Sequence, residues 1–173
     1  MPLASLAGLL AWIADQLRLL SPADYGFVLG AFLMIRLSSR LGMWAYALIA
    51  LPGTLAHELA HYLTALLLLA KPSFPSLIPV RTAHGWRLGS VGFRAGWLRS
   101  VPIALAPLAL LPLALLWAVA WMAPAAWPIY GLHAWIVAAL VSASLPSRAD
   151  FRIAFPALFA FALIAAAAWY LLR

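Results

Sequence analysis

Residues 51–70 read LPGTLAHELAHYLTALLLLA, a run apolar enough to lie in hydrocarbon that nevertheless carries His57, Glu58 and His61 within five positions. On a helix, residues four apart share a face, so His57 and His61 present two imidazole nitrogens toward one point with Glu58 beside them. This is the HExxH spacing of zinc hydrolases: two histidine ligands and a carboxylate that activates water. Glu58 is the only glutamate in the chain. Ionisable groups are costly inside a bilayer, and those retained there mark a functional site.

The composition explains what surrounds the motif. The chain is 173 residues long, 67% hydrophobic and only 9% charged, with a mean hydropathy of +1.03. A soluble domain of this length cannot hide that much apolar surface in one core. The expectation is therefore an all-α polytopic membrane protein, one domain over residues 1–173 with its core at about 42–152. Five to six transmembrane or interfacial helices are expected. No basic segment precedes the apolar N-terminal residues, which argues against a cleaved leader. With no cysteine among its residues, the chain has neither disulfides nor thiolate metal sites. The net charge of +7 sits mostly between apolar runs. That pattern points to orientation in a membrane, and no nucleic-acid motif accompanies it.

Outward from the motif, Pro52-Gly53 is expected to kink the run 42–70, with Thr54 capping its second half. Upstream, SPAD at 21–24 signals a helix start, Ser21 as cap and Pro22 in the first turn, opening a helix to about residue 39. Residues 3–20 read as a short or interfacial helix. Downstream, SLIPVRT and WRLGSVGFR read as short strands about the turn AHG, a β-hairpin lying against the bundle, with Pro79 indicating an edge. Residues 99–123, 128–145 and 151–172 are expected as further helices. Lys71, Arg81, Arg87, Arg94 and Arg99 lie in one connection, and Arg148 and Arg152 in another two helices later. The positive-inside rule places both on the cytoplasmic side.

A catalytic zinc needs a third protein ligand and one open position. Asp150, in SLPSRAD, is the only acidic residue after the motif and falls at a break between two apolar runs. As a ligand it completes the set with His57 and His61; as a helix cap it only starts the helix after it. His84, in the hairpin turn, and His133, within the 128–145 helix, are weaker candidates for the third position.

On these residues the chain resembles the site-2 protease family of intramembrane zinc metalloproteases, as a small divergent single-domain member. HELAH matches the family's first signature, with Ala60 as the small residue before the second histidine. SASLPSRADF at 142–151 is the nearest match to the proline-containing segment whose aspartate supplies the third ligand. It lacks the family's asparagine, and Ala149-Asp150-Phe151 replaces Leu-Asp-Gly. The resemblance implies a Zn2+ cofactor held by His57, His61 and Asp150, with Glu58 as general base and then acid. Ser144, Pro146 and Ser147 follow as substrate-contacting or supporting residues. The implied reaction is hydrolysis of peptide bonds in or near transmembrane segments, in a bacterial or archaeal cytoplasmic membrane with the site toward the cytoplasm. The implied partners are a transmembrane substrate and bilayer lipid, without nucleic acid; a homo-oligomer is left open. Two alternatives stand beside this reading: a membrane metal-binding or transport protein, and a zinc hydrolase acting on lipid.

Overall fold

The computed structural model describes residues 6–82 and 85–171, and these are mostly helical with one small antiparallel sheet. The helices are α1 (Leu6–Arg18), α2 (Pro22–Ser38), α3 (Met43–Ile49), α4 (Leu51–Leu67), α5 (Trp97–Leu105), α6 (Leu110–Trp117), α7 (Ile129–Ala143) and α8 (Arg148–Leu171). Strands β1 (Val80–Thr82) and β2 (Gly85–Arg87) pair antiparallel, Val80 opposite Arg87.

Two helical runs are long and apolar enough to cross a membrane. They are Trp97–Met122, with 26 residues and a mean hydropathy of 2.3, and Arg148–Tyr170, with 23 residues and 2.0. At about 1.5 Å per residue both exceed the roughly 30 Å of a bilayer's hydrocarbon. A third span exists if α1 and α2, bent by 92° at their junction, count as one. This is fewer than the five to six helices expected from hydropathy. Helix breaks, which a hydropathy count does not see, divide the remaining apolar sequence. Gly42, with φ +111°, stops the helix after Leu41, and Ala50 separates α3 from α4. What remains is 17 residues in α4 and 15 in α7. The run is therefore interrupted at Ala50, just before the expected Pro52-Gly53. Pro52 occupies the first turn of α4, where its missing N–H costs no hydrogen bond. Thr54 lies inside α4 and does not cap it.

The chain divides into two compact units, residues 6–53 with 110–142 and residues 54–109 with 143–171. In the first, Ile35, Ala50, Ala138 and Ala139 form a buried cluster with Phe32, Tyr46 and Trp135 packed on it. Trp135 donates its indole N–H to the Ile49 carbonyl at 2.9 Å. The start of α2 is the capping box that SPAD signals. The Ser21 N–H donates to Asp24 Oδ2 at 2.6 Å, and the Asp24 N–H donates to Ser21 Oγ at 3.3 Å. The second carboxylate oxygen, Oδ1, accepts the Tyr130 hydroxyl at 2.6 Å. His133 accepts the Trp117 indole N–H at Nδ1, 3.1 Å away, and so serves helix packing as its sequence position suggests.

In the second unit Ala65, Ala70 and Ile103 form the buried cluster. At the end of α4 the chain reverses through Leu69 and Lys71, both at positive φ (53° and 48°), and the Ala70 N–H closes the helix onto the Ala65 carbonyl at 2.8 Å. From there a two-armed ribbon runs out to the β1–β2 hairpin and back. Its rungs are Arg94 N–H to Ala70 O (2.8 Å), Ser73 N–H to Gly92 O (2.8 Å), and a reciprocal pair between Ser76 and Ser90 (2.9 Å each). Between rungs the outgoing arm advances by three, three and four residues while the returning arm advances by two, two and three. Each surplus residue makes a bulge. Each of these intervals contains one proline, Pro72, Pro75 or Pro79, a residue that sheets tolerate at bulges and edges. The sequence signals the hairpin at its tip, and the bulged ribbon extends it back to α4. The tip residues Ala83 and His84 lie outside the described residues.

Candidate metal centre

His57, Glu58 and His61 occupy consecutive turns of α4, and Asp150 is the third residue of α8. The fold brings the two stretches together. One ligand atom from each of His57, His61 and Asp150 lies within 4.8 Å of the others. His57 Nε2 and His61 Nε2 are 3.1 Å apart, and Asp150 places Oδ2 3.6 Å from the first and Oδ1 3.3 Å from the second. His61 and Asp150 are buried, and His57 is half-buried.

The other side of each imidazole explains this orientation. His57 Nδ1 lies 2.7 Å from the Ala143 carbonyl, and His61 Nδ1 lies 2.7 Å from the Ile103 carbonyl. A carbonyl only accepts, so each Nδ1 carries a proton, and in the neutral ring Nε2 turns its lone pair toward the shared point. Two such imidazole nitrogens and a carboxylate around one point are a donor set that a divalent cation satisfies. The residues therefore fit a metal ion. Both histidines make the backbone bond that fixes tautomer and ring angle in metal sites.

Both carbonyls have acceptor capacity to spare for structural reasons. Ala143 is the last residue of α7, where carbonyls lose their helical donors; the N–H four residues on, that of Ser147, donates instead to Asp150 Oδ2 at 2.7 Å. Ile103 would be served in a regular helix by the N–H of residue 107, which is a proline. The helix tightens to a 3-10 turn over Ala106–Ala109, Ala106 donates to Ile103, and the remaining acceptor capacity takes His61. Pro107 is fully buried there. No sequence spacing marks it as part of the site.

Asp150 is both ligand candidate and cap. Ser147 precedes α8, donates its N–H to Asp150 Oδ2, and accepts the Asp150 N–H at Oγ, 3.3 Å away. S-R-A-D at 147–150 thus repeats the capping box of S-P-A-D at 21–24. In each, one carboxylate oxygen is fixed by the helix start and the other faces a partner. For Asp24 that partner is Tyr130; for Asp150, Oδ1 faces His61, while the capping oxygen Oδ2 also lies 3.6 Å from His57. Ser147 accordingly supports Asp150. Ser144 and Pro146 are buried in the turn between α7 and α8.

Glu58 is buried, 6% exposed, one residue along from His57. The returning arm of the ribbon crosses it. A Cβ built on Gly89 would lie 2.6 Å from Glu58 Cγ and Oε1 and 2.9 Å from Cδ, so a larger residue requires Glu58 or the ribbon to shift. Gly89 is a second neighbour of the site that sequence spacing does not reveal. The arrangement can hold a divalent cation through two imidazoles and one carboxylate, leaving coordination positions for water or substrate and a buried carboxylate alongside. No family model, characterised protein or solved structure matches the chain.

Proposed function

We propose that the chain is an intramembrane zinc metalloprotease that hydrolyses peptide bonds in or near transmembrane segments. The observation that carries the reading is the convergence of His57, His61 and Asp150 beside Glu58 in an apolar helical chain. Two imidazoles and a carboxylate also suit Fe(II). Glu58, in HExxH spacing, favours zinc and hydrolysis, because water activation needs a base next to the metal.

When bound, zinc supplies Lewis acidity toward water and the scissile carbonyl. Glu58 takes a proton from the attacking water and returns it to the leaving amine. Asp150, held by Ser147, and the two histidines, held by Ala143 and Ile103, keep their donor atoms fixed. A transmembrane helix offers no free carbonyl to attack, so the substrate must be extended. The ribbon arm that crosses Glu58 has an outer edge on which an extended segment can add as a further strand. The basic residues of the ribbon, with Arg148 and Arg152 in the first turns of α8, favour a cytoplasmic orientation of this face by the positive-inside rule.

The test is zinc per chain in detergent-purified wild type and Asp150→Ala, followed by cleavage of a transmembrane reporter. One zinc in the wild type, much less in the variant, and zinc-dependent cleavage support the reading. Iron in place of zinc would remove the hydrolase assignment. Zinc with release of fatty acid but no peptide cleavage would move the substrate to lipid, and zinc with neither activity would leave a metal-binding or transport protein.

A further inference from the structure

The ribbon and the general base meet at one atom-sized gap. Gly89 follows β2 by two residues, between the hairpin and the Ser76–Ser90 rung, and so belongs to the paired ribbon. It lies one residue from the Ser90 rung and two from the Val80–Arg87 pair, within the three-residue step of the returning arm. The space a Cβ would occupy at Gly89 is filled by the Glu58 side chain, at distances real Cβ atoms do not adopt. The clashing atoms include Cγ, close to the α4 backbone, so rotation of the carboxylate alone does not relieve the contact. Either Glu58 leaves its rotamer or the ribbon lifts.

We propose that Gly89 is a positioning residue for Glu58: the bare backbone of the ribbon forms the wall that holds the carboxylate beside the histidine pair. This rests on the zinc hydrolase reading and adds the element that orients its base. It also makes the base sensitive to the ribbon, because whatever displaces the returning arm removes that wall. The other ribbon glycine with a close neighbour, Gly92, faces Ser73, with a built Cβ 3.2 Å from the hydroxyl. Its substitution disturbs the ribbon without meeting Glu58, which makes it the control.

The experiment uses full-length protein in detergent, with four variants: Gly89→Ala, Glu58→Ala, the pair combined, and Gly92→Ala. Zinc per chain and the affinity for acetohydroxamate are measured on each. A hydroxamic acid chelates zinc through two oxygens and gives its proton to an adjacent carboxylate, so its affinity reports where Glu58 stands. Thermal midpoints of the metal-free proteins provide a readout that needs no metal. The expected result is wild-type zinc content in Gly89→Ala with hydroxamate affinity at least tenfold weaker and a lowered metal-free midpoint. Both effects should shrink to within about twofold, or to no shift, in the Glu58→Ala background, where the clashing atoms are gone. Gly92→Ala should retain hydroxamate affinity. Wild-type affinity in Gly89→Ala, an equal loss in Gly92→Ala, or a loss that persists without the Glu58 side chain overturns the proposal. Zinc-free wild type would overturn the hydrolase reading; a midpoint coupling between positions 58 and 89 would then still uphold the contact as a positioning one.

Discussion

Replacing Pro107 by alanine should separate the stability of the helix from the strength of the metal site. The substitution gives residue 107 an N–H aimed at the Ile103 carbonyl, the acceptor that orients His61. Proline inside a helix costs about 3 kcal/mol relative to a residue that donates. Losing two buried ring carbons costs about 1.5 kcal/mol at roughly 0.8 kcal/mol per CH2. These terms oppose each other, and the 3-10 turn over Ala106–Ala109 already absorbs part of the first, so the net change in stability should be small. The metal site has no such compensation. Loss of a supporting bond to a ligand histidine weakens metal binding about 10- to 100-fold, which is about 1.4 to 2.7 kcal/mol. Competition against a chromophoric chelator measures the zinc dissociation constant, and a thermal melt of the same metal-free sample measures stability. Pro112→Ala is the matched control, since the carbonyl four residues before it holds neither histidine. Unchanged zinc affinity in Pro107→Ala, or an affinity loss that tracks an equal loss in Pro112→Ala, would refute the argument.

Glu58→Gln should keep one zinc per chain and lower peptide cleavage at least a hundredfold, because general base catalysis contributes about 10²–10⁴; residual turnover near wild type would remove Glu58 from the chemistry. Asp150→Asn retains an oxygen to accept the Ser147 N–H but loses the charge, so helix content should hold while zinc affinity falls, as circular dichroism and metal analysis can show. Tyr130→Phe removes a hydrogen bond to a carboxylate, an interaction worth about 1.5–3 kcal/mol. It should lower the thermal midpoint and leave zinc content unchanged, which would separate the Asp24 capping box from the Asp150 one.

The parts of this site that sequence reveals are those set by local geometry. HELAH is readable because helical spacing alone puts His57 and His61 on one face. Asp150 is readable because so few acidic residues compete for the third position, although cap and ligand candidate are not alternatives: Oδ2 accepts the Ser147 N–H while both oxygens face the histidines. Gly89 and Pro107 act through contacts between segments remote in sequence, 31 residues from Glu58 in one case and 46 from His61 in the other. Nothing in their own neighbourhoods distinguishes them from the other glycines and prolines. Hydropathy overcounts the membrane spans for a related reason. Apolar runs predict where a chain avoids water, but Gly42 and the junction at Ala50 decide where a helix stops.

The bulged ribbon has a consequence for the protein's solubility in its own company. A two-stranded ribbon has two outer edges, and an unprotected edge invites a second copy to pair with it. On the outgoing arm, Pro72, Pro75 and Pro79 offer no N–H, and each bulge breaks the even spacing that a partner strand requires. The returning arm, Gly85 to Arg94, has no proline. The ribbon is thus one-sided: its outgoing flank is spoiled as a template for self-association, and the flank free of proline is the one that passes over Glu58.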